Sequence, residues 1–150
     1  MRSLFQPSDV EEIRNRLARL QPDSPRQWGA MSASQAMAHC ATAMEWPVGD
    51  RTPPRMGLPS IFGRLIKSKV VGDDAPFHRN SPTAKELIVA DERDFNAERN
   101  RLTVLIDRFA AAGPAGCTKH PHTFFGRMTP HEWAILTYKH LDHHLRQFGV

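Results

Sequence analysis

Thr129-Pro130-His131-Glu132-Trp133-Ala134-Ile135-Leu136-Thr137-Tyr138-Lys139-His140-Leu141-Asp142-His143-His144-Leu145-Arg146-Gln147-Phe148-Gly149 is the stretch on which the fold turns. Thr129 with Glu132 three residues later has the form of a capping box, Pro130 suits the first helical position, and Gly149 lies just past the end. The spacing predicts a helix over 130–148. At about 100° per residue, with His140 at zero, Trp133 falls near 20°, His144 near 40°, Leu136 near −40° and Phe148 near 80°. Two imidazoles therefore share the apolar face. Burying two titratable rings is costly unless something pairs with them, and a divalent metal suits a histidine pair at i, i+4. His143, near about −60° on the same wheel, sits at the edge of the stripe and is expected to face solvent.

Working outward, Ser8 and Glu11 offer a capping box before Val10, Ile13, Leu17 and Leu20, which predicts a first helix over about 9–20. Ser32 and Gln35 open a second over about 33–46, with Ala36, His39, Ala43 and Trp46 on one face and Pro47 expected to end it. Ser81-Pro82-Thr83-Ala84-Lys85-Glu86 predicts the start of a long third helix over about 83–112, carrying Ile88, Phe95, Leu102, Ile106 and Phe109 on its stripe until Gly113-Pro114. No segment alternates with period two, so the fold class is all-α, a helical bundle. Some 36 residues rich in Pro and Gly join the second and third helices, too long for an idle connection, as roughly counted against the usual loop lengths. A short helix is expected there over 59–71, where Ile61, Phe62, Leu65 and Ile66 are helix-spaced.

With 150 residues the chain fits one domain, 1–150. Cys40 and Cys117 form neither a disulfide framework nor a zinc-ribbon spacing, which favours a reducing compartment. No window is apolar enough for a membrane span, and Pro7 and Asp9 interrupt any signal peptide, so a soluble cytoplasmic protein is expected. The net charge of +4 is spread along the chain, and its densest basic run, Arg64 to Lys69, has no nucleic-acid motif beside it. Neither nucleic acid nor membrane is an expected partner.

A catalytic metal site takes three protein ligands and keeps one position open, so a third donor must come from another helix. His39 is the candidate, on the face of Ser32, Gln35, Ala43 and Trp46, where small residues leave room. Alone it would read as a core histidine bonded to a carbonyl or carboxylate, and the pair alone as a hydrogen-bonded polar cluster. The three together read as metal ligands.

A single histidine in the second helix with H-x3-H in the last, and the run from His122 through Trp133 to Phe148, resemble the DinB/YfiT-like superfamily of metal-binding four-helix bundles. The resemblance implies an up-up-down-down four-helix bundle with a long crossover between helices two and three. It also implies one divalent ion held by His39, His140 and His144; three imidazoles suit zinc, nickel, copper or iron, of which zinc or nickel is expected. Characterised members of that superfamily include thiol-dependent transferases and isomerases, so it further implies a small-molecule substrate and a low-molecular-weight thiol as partners, and a homodimer is among the assemblies it admits. The function expected is therefore that of a metal-dependent enzyme of the transferase or hydrolase type. The rival readings are a non-catalytic metal-binding or stress-associated bundle and a metal-free structural one. No residue stands out as a general acid or base.

The remaining candidates have plainer readings. Cys40 diverges from His39 by about 100° and should pack as a core thiol. Asp91, Glu98 and Arg99 either supply a carboxylate behind the ligands or form edge salt bridges. His120 and His122 flank a proline in a loop and at most reach the rim of a pocket. Trp28, Trp46 and Trp133 are core aromatics that would also suit the roof of a cavity.

Overall fold

Ser32 and Thr129 start helices as their positions predict. The Ser32 hydroxyl accepts from the Gln35 N–H while the Gln35 side chain accepts from the Ser32 N–H, and Thr129 and Glu132 make the same reciprocal pair. The computed structural model of the protein describes residues 1–54 and 61–150, without the side chains of Ile61, Phe62, Arg64 and Leu65. Five α-helices run in the order α1 (Pro7–Arg19), α2 (Ala33–Val48), α3 (Ile61–Val71), α4 (Phe95–Ala112) and α5 (Pro130–Gln147). Short 3-10 turns lie at Lys85–Leu87 and Pro114–Gly116. Among the described residues there is no strand beyond an isolated bridge between His122 and Gly126, and the fold is all-α. None of the described helices is long and apolar enough to cross a membrane.

Three boundaries differ from those expected. Helix α1 begins at Pro7, which suits the first position because it has no N–H to leave unpaired, with Gln6 before it and no side-chain cap, so Ser8 lies inside the helix. Helix α2 runs through Pro47 to Val48, the proline lying inside the last turn, and Gly49 closes it with φ +91° in the left-handed region. The largest correction concerns the third long helix. It starts at Phe95, not near 83, with the Asp94 carboxylate capping the Ala97 N–H at 2.7 Å. Residues 83–94 instead make one 3-10 turn and an extended stretch that leaves Ile88 62% exposed. That stretch is held from outside: Ser34 and Ser32 donate to the Glu92 carboxylate, and the Gln35 amide donates to the Ala90 carbonyl. The expected start of the crossover helix, at 59 and 60, lies outside the described residues.

Helical periodicity says which face is buried, and long-range pairs say which way each helix runs. Arg16 pairs with Asp142 and Tyr138 reaches Glu12, so α1 and α5 run in the same direction. Phe5 stacks on Phe109 and Arg99 reaches the Leu20 carbonyl, so α4 runs against α1. Arg101 with Glu45 and Arg108 with Asp50 place α2 and α4 side by side in the same direction. The four long helices are thus up, down, down, up in chain order, which corrects the up-up-down-down order expected. Consecutive long helices that run parallel require the chain to return the length of α2, about 24 Å at 1.5 Å per residue, and the crossover containing α3 makes that return. Lys139 anchors it: its buried ammonium donates to the Val70 carbonyl at 2.6 Å and the Asp73 carbonyl at 3.1 Å.

Ile13, Leu17, Met37, Met44, Leu102, Ile106, Phe109, Trp133, Leu141 and Leu145 are all buried, the interior of the ring of four helices. Each such aliphatic side chain contributes about 1.5–3 kcal/mol on burial. That rigid interior fixes α2 against α5, on which the histidines lie.

Candidate metal centre

Helix α2 brings His39, and α5 brings His140 and His144, to one point between them. One ring nitrogen from each lies within 4.8 Å of the others, close enough to hold a single ion. The rings form a near-equilateral set, with centroids 4.9, 4.7 and 4.9 Å apart. His39 and His144 are buried, while His140 keeps some accessible surface. His39 Nε2 and His140 Nε2 face each other at 2.9 Å. Two nitrogens on one tetrahedral zinc-sized ion stand about 3.3 Å apart, so a movement of a few tenths of an ångström would seat one.

The hydrogen bonds behind the rings decide which nitrogens face inward. His39 Nδ1 lies 2.8 Å from the Leu87 carbonyl oxygen, which only accepts, so Nδ1 carries the proton and donates, and the Nε2 lone pair points at the centre. For His144 the same conclusion needs one more link. The Gln147 amide nitrogen donates to the Trp28 carbonyl at 2.9 Å, which orients the amide. Its Oε1 therefore faces His144 Nδ1 at 2.9 Å and accepts from it. Backing of this kind by carbonyl and amide oxygens sets the tautomer and orientation of metal-ligating histidines.

Burial keeps these rings neutral. It lowers the pKa of His39 below 6.5 against the opposing bond from Leu87, and it drives His144 down to about 3, helped by His39. His140 is pushed well below 6.5 by burial and then by its histidine neighbours. Neutral imidazoles with lone pairs turned inward are the form a divalent ion requires.

A family model described as a protein of unknown function, DUF1569, matches residues 2–149, nearly the whole chain and all three histidines. The chain belongs to the DUF1569 family. No curated protein and no solved structure matches it.

Elsewhere in this DUF1569 chain the other candidate residues separate. His143 does not face open solvent: it is half-buried, packed against Trp28 and Phe77 with ring centroids 5.7 and 6.0 Å away. Cys40 is buried and burial raises its thiol pKa far out of reach, as a core cysteine. Asp91 pairs with Arg93, Glu98 with Arg101, and Arg99 reaches the Leu20 carbonyl, so none of the three backs a ligand. His120 stays exposed in its loop, whereas His122 turns inward between Trp46 and Trp133. Trp46 and Trp133 are each only 2% exposed. The groups that do back the ligands, Gln147 and the Leu87 carbonyl, were not anticipated. Gln147 had a readable signal, three residues past His144 on the same helix face. Two surface hollows of about 400 and 290 Å³ lie on α1, one against Ala110 and one among the charges of Glu12, Arg16 and Asp142, and neither contains a histidine.

Proposed function

We propose that this protein is a DinB-like metal protein in which His39, His140 and His144 hold one divalent ion, zinc or nickel, and that it carries out metal-dependent transfer chemistry with a low-molecular-weight thiol. The observation that carries the reading is the pair of locked tautomers: Leu87 and Gln147 each accept a hydrogen bond from the Nδ1–H of a buried histidine, which leaves the Nε2 lone pair for the centre. Without an ion, His140 Nε2–H donates to the His39 Nε2 lone pair at 2.9 Å, and a divalent ion would take the place of that shared proton.

A bound ion supplies a Lewis acid that acidifies a small molecule at its open position. The chain's own residues orient the imidazoles of His39 and His144, keep all three rings neutral, and bury His39 and His144 while His140 keeps some accessible surface. Both cysteines are ill-suited as nucleophiles, since burial raises Cys117 to about 11 and Cys40 further still. The attacking thiol in this reading is therefore an external one.

Elemental analysis of the purified protein, with metal titration into chelator-stripped wild type and His140→Ala, tests the centre. Near-stoichiometric metal in the wild type and its loss in the variant are expected; no metal in either would sink the proposal. Turnover of a reactive electrophile with added thiol, present with metal and absent after chelation, tests the chemistry separately.

A further inference from the structure

His122 belongs to the same interior as the three histidines. Trp133 lies seven residues before His140 on α5, and Trp46 seven residues after His39 on α2. Because α2 and α5 run in opposite directions, both indoles lie on the same side of the centre, about two helical turns or roughly 10 Å along. The His122 ring bridges them, with centroids 5.7 Å from Trp46 and 5.2 Å from Trp133, and stacks on Phe125 at 4.7 Å. It is near enough to His140 to bear on that ring's charge. Ala43, on the α2 face between His39 and Trp46, is small and keeps accessible surface, as His140 does.

Three ring N–H donors belong to this second level. His122 Nδ1 accepts from the backbone N–H groups of Phe124 and Phe125, at 3.1 and 3.3 Å, so the ring's proton sits on Nε2. The indole N–H groups of Trp46 and Trp133 are buried with no acceptor among the described residues. Buried donors without partners are rare, and although the Trp28 indole N–H is also unpartnered, the two that belong to the rings beside His122 are a place where an acceptor from outside the chain would be satisfied.

We infer that His122 is a positioning residue of the three-histidine site, its Nε2–H, with the Trp46 and Trp133 N–H groups, holding the carboxylate of a small-molecule substrate whose other end meets the metal. The inference rests on the metal-centre reading above. A carboxylate offers two oxygens and about four lone-pair sites, which suits several neutral donors. Burial holds the His122 ring neutral, with its pKa lowered to about 4, so Nδ1 keeps the lone pair that accepts from Phe124 and Phe125 and the ring's one proton stays on Nε2.

The test uses the full chain loaded with Co²⁺, whose visible spectrum reports the centre, and two probes, 3-mercaptopropionate and 1-propanethiol. Wild type should bind the carboxylate-bearing thiol roughly tenfold or more tightly than the neutral one, the advantage expected of a hydrogen bond to a charged group. His122→Phe, which keeps the stacking ring, should erase that preference and leave the Co²⁺ spectrum and the affinity for 1-propanethiol unchanged. His122→Gln, which keeps a donor, should restore part of it. Trp46→Phe should weaken the preference and serves if His122→Phe fails to fold. Failure of the wild type to bind Co²⁺ defeats the metal centre and this inference together. Normal Co²⁺ binding with no carboxylate preference, or the same preference in every variant, defeats this inference alone, as does loss of Co²⁺ from His122→Phe, which would make the residue a support of the ion.

Discussion

Lowering the pH of the chelator-stripped protein from 7 to 5 should cost it about 4 kcal/mol of stability through two histidines alone. His144 and His122 have folded pKa values of about 3 and about 4, against 6.5 when unfolded. The sign follows from proton counting. Below pH 6.5 the unfolded chain binds protons that the folded chain refuses, so stability is full above that value and falls as pH drops toward 4 and 3. Between pH 7 and 5 each ring contributes about 2 kcal/mol, and the figure is insensitive to a unit's change in either folded pKa because both lie at or below pH 5. His39 and His140 shift the same way and add to the loss. Ordinary carboxylates titrate below this window and contribute little to the change. Urea unfolding at pH 7 and pH 5 with chelator present reads the effect directly. The thermal midpoint should fall by roughly 10 °C for a chain of this size. His122→Phe removes one titrating ring and should recover about 2 kcal/mol of the pH-dependent loss. Metal at a hundredfold excess over its Kd should add about 2.7 kcal/mol at pH 7. Equal urea midpoints at the two pH values in the stripped protein would refute the burial of neutral imidazoles.

Metal content should separate the histidines of α5: His140→Ala and His144→Ala should lose most of it, as should His39→Ala on α2, while His143→Ala stays near wild type by elemental analysis. Comparable loss in all four would mean the ligand set is wrong. Gln147→Leu takes away the acceptor for His144 Nδ1 and should weaken metal binding by about 10- to 100-fold in a competition titration. An unchanged Kd would show that the amide does not orient the ligand. Thiol-dependent turnover should survive both Cys40→Ser and Cys117→Ser, and its disappearance in either would place the nucleophile within the chain.

How much of this was legible depends on how local each signal is. The caps at Ser32 and Thr129 are complete within four residues, and the sequence shows them. The i, i+4 pair of His140 and His144 is equally local, and it pointed to His39 through the chemistry of a third ligand. Helix direction is another matter. Periodicity fixes the face of α1 but cannot choose between running with or against α5, which is decided by pairs such as Arg16 with Asp142, 126 residues apart. The up-down-down-up order was therefore out of reach, although the long crossover it requires was visible as an overlong connection.

The misplaced start of α4 and the unanticipated partner of His39 are one event. Ser81-Pro82-Thr83 carries a sound helix-start signal, and a helix continuing from it would turn the Leu87 carbonyl along its axis to accept from the N–H of Asp91. In the fold that carbonyl is turned across the chain to His39. The hydroxyls of Ser32 and Ser34, at the start of the helix that carries His39, hold Glu92 and keep the segment extended until Asp94 can cap α4. Local propensity is overridden where the interior needs an acceptor, and the break in the helix is what sets the tautomer of the ligand. A local contradiction between a strong start signal and an unwound segment beside a buried histidine is thus where the site reveals its supporting structure.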